Sequence, residues 1–300
     1  MCKTIAMNPN PLTTWLHAIP YEVAFWQAAM ANKKSRQSTL EWSHYGSPMQ
    51  LEGWDVQSWI TARKKPMILD VGCGLSYATG NLTKDNKPLD LHYVDALAPY
   101  FNKIVEKYIP DMPRIELGLM DYLSAFYPKH DVDLIIIQNA LDHSSDPMKA
   151  VWESLAALQK GGVLYLNHHP NEAEYEKYRG FHKFNIVNEK DDMLIWNQQV
   201  RYSVTKELNQ VAIVETAVEN GHQIVIITKV ADIPRNKLHR DEDLQHVLDA
   251  MISYSVDTND PKKARQARRT FRFYQLAQKC SKYFSVATRQ KIKKLINKTS

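Results

Sequence analysis

Residues 68–80 read ILDVGCGLSYATG, and how this stretch is taken decides the fold. A short apolar run reaches Asp70 and then meets Gly72 and Gly74. An apolar run that stops at glycine is the mark of a buried strand entering a tight loop. A glycine pair there lets backbone come closer to a partner than a Cβ would allow. The candidate partners are a dinucleotide, a phosphate, a nucleoside, or only the next piece of the chain.

Outward from this stretch, strands and helices alternate. PMILDVG is the first strand, and LDLHYVDAL holds a second that ends at Asp95. APYFNKIVEKYI follows as a helix with Tyr100, Ile104 and Ile109 on one face. RIELGL is a short third strand. DVDLIIIQNA is a fourth, and its unbroken apolar run suits a strand covered on both faces of a parallel sheet. DPMKAVWESLAALQK predicts a helix with Pro147 in its first turn and Gly161–Gly162 at its end. GGVLYLNHH opens the fifth strand. The alternation predicts an α/β, doubly wound sheet over 61–230. FNIV and MLIW around NEKDD predict a hairpin inside an insertion at about 168–200. In QVAIVETAVENGHQIVIITKV, Asn220-Gly221 between apolar runs signals another hairpin, although its first half fits a helix end equally well.

Residues 1–60 read as a helical, aromatic-rich segment suited to a lid or to substrate contact. It holds five of the seven tryptophans, Trp15, Trp26, Trp42, Trp54 and Trp59, which serve either as lid or, the more usual role, as core. Val23, Trp26 and Met30 fall at helical spacing, and 43–48 is a loop. Residues 231–300 form the third segment, a basic helical tail. The net charge of +5 conceals an asymmetry. Residues 261–300 carry 13 Lys or Arg and no Asp or Glu, while the other 260 residues carry 25 basic and 33 acidic side chains, a net of −8. From Phe273 to Ile296 the tail alternates apolar and basic residues at helical spacing, the pattern of a helix that lies on an anionic membrane surface. Docking on the acidic body explains it equally well. That body offers no second basic surface, which argues against nucleic acid as a partner. Three scattered cysteines make no disulfide framework or zinc pattern. With no long apolar block, they point to a cytoplasmic setting, with membrane contact peripheral through 261–300.

The glycine loop fails two common patterns. A dinucleotide loop wants G-x-G-x-x-G, but Tyr77 stands where the third glycine belongs. A phosphate loop wants Gly-Lys-Ser/Thr, which does not follow. Asp70 before the glycines and Asp95 after the second strand suit a cationic nucleoside. Asp70 would sit near an ammonium or sulfonium group, and Asp95 would accept from two ribose hydroxyls.

Taken in order, ILDVGCG, YVDAL, GLMDYL, DLIIIQNALDHSSDP and LQKGGVLYL resemble the class I S-adenosylmethionine-dependent methyltransferases over roughly 60–230. The resemblance implies a seven-stranded Rossmann-like sheet and S-adenosylmethionine as cofactor. By position it implies that Asp70, Gly72, Cys73 and Gly74 form the methionine-side loop and that Asp95 holds the ribose. Met120 and Asp121 would flank the adenine, and Asn139 would lie beside the methyl donor. PYEVAFW, SHYGSPMQLEGWD and HHPNEAEYEKYRGFHKFN look like bacterial methyltransferases encoded among surface-polysaccharide genes, which points to a glycan or small-molecule hydroxyl acceptor.

A hydroxyl needs a base as it attacks, and histidine is the natural one near neutral pH. His143 after strand four, His168 and His169 after strand five, and His182 all fall where the ligand-facing rim is expected, with His143, His169 and His182 the catalytic candidates. His168, His169, Glu172, Glu174 and His182 are dense but lack metal-ligand spacing, so no metal is expected. Two rivals remain: an RNA methyltransferase guided by the tail, and a non-catalytic nucleoside-binding regulatory module.

Overall fold

The computed structural model describes residues 11–253, together with 265 and 269. The chain begins with helices α1 (Pro11–Ala31), α2 (Lys33–Glu41) and α3 (Val56–Thr61). Asn32 caps α2 by accepting from the Ser35 N–H, and Asp55 caps α3 by accepting from that of Ser58. Strand β1 (Met67–Val71) then leads through residues 72–89 to β2 (Asp90–Asp95). No helix forms in that crossover. Gly72, Gly74 and Tyr77 all take positive φ, which breaks any helical run. A Cβ on Gly80 would lie 2.7 Å from the Pro48 carbonyl oxygen, so the loop is pressed against the 43–48 turn.

Helix α4 (Ala98–Tyr108) follows, then the two-residue β3 (Glu116–Leu117), α5 (Leu123–Phe126) and β4 (Val132–Gln138). The buried stripe of α4 is Phe101, Ile104 and Val105, continued by Ile109, and Tyr100 is only half-buried beside it. Helix α6 (Pro147–Ala157) starts as expected, with Asp146 accepting from the Lys149 N–H and Pro147 at its first position. Its end differs from expectation. The helix stops at Ala157, and β5 (Leu158–His168) begins before the Gly-Gly pair. Leu158 pairs with Val132, and the register then slips before Leu134 meets Val163. Gly161, at φ 79°, takes up the extra chain as a bulge.

After β5 come α7 (Glu172–Tyr175), β6 (Asn185–Glu189), β7 (Asp192–Trp196) and β8 (Arg201–Ser203). The expected hairpin is β6–β7, and β8 extends it to a separate three-stranded antiparallel sheet. Helix α8 (Val204–Leu208) leads to β9 (Ala212–Glu219) and β10 (His222–Lys229). Asn220 and Gly221 both have positive φ, the conformation of a tight two-residue hairpin turn, so the segment before them is strand rather than helix. Helix α9 (Asp241–Ser253) closes the described chain. The basic stretch 261–300 lies outside the described residues save for 265 and 269. Among the described residues no helix is long and apolar enough to cross a membrane.

The main sheet has seven strands in the order β3-β2-β1-β4-β5-β10-β9, and only β10 runs against the others, antiparallel to both β5 and β9. Side chains alternate across it. Ile68, Leu134, Ile136 and Tyr165 face Met49, Val56 and Ile60, while Leu69, Ile135, Leu164 and Val225 face α6 and the β6–β7 hairpin. The strand order reverses between β1 and β4. Open α/β sheets bind ligands at such a reversal, beyond the carboxyl ends of the strands.

Candidate active site

A cavity of about 340 Å³ opens at that reversal. Three buried acids line it, each at the end of a different stretch of the sheet: Asp70 on β1, Asp95 on β2 and Asp121 after β3. Burial pushes Asp70 up to about 7, with the charge of Asp95 adding and a hydrogen bond from Thr79 opposing. Burial likewise carries Asp95 to about 6, against backbone hydrogen bonds from Leu97 and Gly74. The Leu97 N–H donates to Asp95 Oδ1 at 2.7 Å and the Gly74 N–H to Oδ2 at 3.1 Å, so this acid ties the glycine loop to the start of α4. Asp121 is also raised by burial to about 6. Its Oδ1 accepts from the Asp146 N–H at 2.8 Å and the Ser145 hydroxyl at 3.1 Å, which leaves Oδ2 for another donor. No cationic side chain among the described residues contributes to Asp70 or Asp95. Unpaired carboxylates around one cavity fit a ligand that brings positive charge and hydroxyl donors.

The two glycines do different things. A Cβ on Gly72 would lie 2.5 Å from the Ala140 Cβ and 3.2 Å from the Met120 Cε. Gly72 is therefore required by protein packing, not by ligand approach. A Cβ on Gly74 would meet nothing nearer than the Trp26 ring at 3.7 Å. Cys73 and Met120 line the same wall, and burial holds the Cys73 thiol protonated by raising its pKa. Asn139 sits at the end of β4 with φ 48°. Its N–H donates to the Asn167 carbonyl and its Oδ1 accepts from the His169 N–H, each at 2.9 Å, so it pins the ends of β4 and β5 together. Helix α1 supplies Trp15, Glu22 and Trp26 to the lining, while Trp54 and Trp59 pack on the sheet and Trp42 is exposed.

Of the three histidine candidates, His143 lines the cavity and His182 stands behind it. His143 Nε2 is 3.3 Å from His182 Nδ1, which in turn is 2.8 Å from Asp142 Oδ2. Burial pulls His182 down, but the hydrogen bond and charge of Asp142, with Glu172 and Glu176, carry it up to about 9. His168 points inward and is fully buried; burial pulls it to about 4 against the attraction of Asp142. His169 lies just past the end of β5, is exposed, and packs edge-on against the cavity residue His222 with ring centroids 4.4 Å apart. Among the described residues the structure brings Asp142, His143 and His182 together.

His222 is one of the cavity residues that sequence reading missed. Its Nδ1 is 2.8 Å from Asn167 Oδ1 and 3.4 Å from Glu52 Oε2. Asn167 also lines the cavity, and Glu52 further accepts from Asn220. The only local signal was that a histidine follows the Asn-Gly turn. Its acid lies in the N-terminal segment, far away in sequence.

Residues 69–166, from β1 into β5, match the protein family described as a methyltransferase domain. No curated protein matches the chain. Among solved structures, an S-adenosylmethionine-dependent methyltransferase of Clostridium acetobutylicum is 13% identical, covers 59% of this chain and 89% of its own, and gives a TM-score of 0.37. One from Aquifex aeolicus is 13% identical over 62% of this chain and 95% of its own, with a TM-score of 0.35. A sugar N-methyltransferase from a Streptoalloteichus species is 13% identical over 59% of this chain and 85% of its own, with a TM-score of 0.36. Likenesses at this level say nothing about substrate.

Proposed function

We infer that this chain, which carries an S-adenosylmethionine-dependent methyltransferase domain, transfers the methyl group to a hydroxyl of a glycan or other small molecule, with a histidine as general base. Bound in the cavity, the cofactor supplies an electrophilic methyl on sulfur. In this reading Asp70 meets the positive end of the cofactor, Asp95 accepts from its ribose and Asp121 accepts from its adenine amino group, which their shared place on the cavity lining supports. Trp15 and Phe181 pack against each other at the cavity wall, where an aromatic lining would suit the apolar side of a ring-shaped acceptor.

The single observation that carries the acceptor chemistry is the Glu52–Asn167–His222 network on the wall of the acid-lined cavity. With Nδ1 facing the Asn167 and Glu52 oxygens, both acceptors, a neutral His222 would carry its proton there and leave Nε2 as the accepting nitrogen. The hydroxyl proton would pass to Nε2 as the acceptor oxygen bonds the methyl carbon and the methyl–sulfur bond breaks, its electron pair staying on sulfur to leave S-adenosylhomocysteine. His143 is less suited, because its Nε2 is turned toward His182 and Asp142. His222→Gln tests the assignment. A base of this kind contributes roughly 100- to 10,000-fold to turnover. Release of S-adenosylhomocysteine, followed with nucleotide sugars and methyl pyranosides as acceptors, should fall by that factor while cofactor affinity by calorimetry stays unchanged. Full turnover in the variant would remove His222 from the role.

A further inference from the structure

We propose that Asp142, His143 and His182 bind one divalent transition-metal ion of the zinc class through Asp142 Oδ2, His143 Nε2 and His182 Nδ1. The three atoms are 2.8, 3.3 and 3.8 Å apart pairwise. A tetrahedral ion with bonds of about 2.0–2.1 Å has ligands about 3.3 Å from one another, which is the mean of these separations. The donors arrive from two parts of the chain. Asp142 and His143 sit in the short turn after β4, and His182 in the loop between α7 and β6. Two imidazole nitrogens and a carboxylate oxygen pointing at one spot are what such an ion needs and what a simple salt bridge does not. His143 Nε2 faces the same point, where its contact is the 3.3 Å approach to His182 Nδ1.

A second observation supports the site independently. Asp142 is 2% exposed, and its other oxygen, Oδ1, is buried without a hydrogen-bond partner. Burying a carboxylate that is half unsatisfied is costly unless a strong positive charge compensates it. The surroundings also fix the ligand geometry, as the outer shell of a metal site does. The Trp15 Nε1–H donates to the His143 carbonyl at 3.0 Å, and Phe181 stacks on the His143 ring with centroids 5.7 Å apart. His143 and His182 are each about one quarter exposed and His143 lines the cavity, which leaves a fourth position for an exchangeable ligand. Three protein ligands with an open fourth position are the arrangement of a catalytic rather than a structural zinc site. The mixed nitrogen and oxygen donors favour zinc, cobalt, iron(II) or manganese over magnesium or calcium. What the ion does rests on the hydroxyl-acceptor reading above: its open position takes the acceptor oxygen and makes its proton easier to remove. Whether the ion binds does not rest on that reading.

Full-length protein, stripped with a chelator, should bind one equivalent of Co²⁺ and develop the intense visible bands of four-coordinate cobalt. His182→Gln and Asp142→Asn should each weaken binding at least tenfold, with folding checked by circular dichroism. The asparagine variant preserves the side-chain shape should the glutamine variant fold poorly. No cobalt bound above background, or binding unchanged in both variants, overturns the site and leaves only a proton shared by Asp142 and His182. Calorimetry with S-adenosylhomocysteine on the metal-free chain separates the two readings. Retained binding there, alongside absent cobalt, removes the metal site alone. Cobalt bound with no nucleoside binding keeps the site and removes the methyl-transfer reading.

Discussion

Gly72→Ala tests whether the glycine loop is shaped by the protein or by its ligand. The residue has φ 74°, and its added methyl would lie 2.5 Å from the Ala140 Cβ. An L-residue in that backbone region costs about 1–2 kcal/mol. Forcing a methyl into a packed site costs about 1–3 kcal/mol more. The variant should therefore lose about 2–5 kcal/mol, a large share of the 5–15 kcal/mol that holds a typical domain together. Urea unfolding of the full chain measures this directly. Ala140→Gly removes the atom that the new methyl strikes and by itself costs only about 0.5–1 kcal/mol. The Gly72→Ala/Ala140→Gly double variant should then recover the packing part and keep the backbone part, with a coupling of about 1–3 kcal/mol. Its affinity for S-adenosylhomocysteine should stay within a few-fold of the parent, since the missing Cβ faces protein. Strictly additive losses, or a double variant that folds well but binds no nucleoside, would mean that the ligand and not Ala140 demands glycine here.

Two further outcomes follow from the buried acids. Folded pKa values near 7 for Asp70 and near 6 for Asp95 and Asp121 exceed those of free carboxyls, so the native chain holds more protons than the unfolded one between about pH 4 and 7. Cofactor-free stability should thus fall as pH rises through that window, by up to about 1.4 kcal/mol per unit for each group that titrates, while cofactor affinity climbs. Urea midpoints at pH 5 and 7.5 read the slope, Asp70→Asn should flatten it, and an identical slope in that variant would contradict the assignment. Glu153 is fully buried in α6, where Oε2 accepts from the Ser124 hydroxyl at 2.6 Å and Oε1 from the His239 N–H at 2.6 Å. Removing it strands those donors, so Glu153→Ala should cost about 3–5 kcal/mol in thermal or urea unfolding, and a loss under about 1 kcal/mol would show that the network is dispensable.

The succession of strands along the chain, the β6–β7 hairpin and the acids at positions 70 and 95 were legible because each depends on neighbours a few residues away, whereas Asp121 came only from the family resemblance. An apolar run stopped by glycine, an Asn-Gly pair between strands and a proline after Asp146 act through local backbone preference, and they act the same way in any chain. The end of α6 was misplaced because a pairing between Leu158 and Val132 outweighed the local signal of Gly161. The partner of Gly72, the seating of α1 over the cavity, and the choice among histidines were invisible for a deeper version of the same reason. His222 is held by Glu52, 170 positions earlier, and His182 meets Asp142 only because a loop folds back over the end of β4. Contacts of that range depend on how the whole sheet packs, and no window of sequence carries them. The chain's own residues determine a wound sheet with an acid-lined mouth; the packing of distant segments across that mouth decides which side chains stand close enough to do chemistry there.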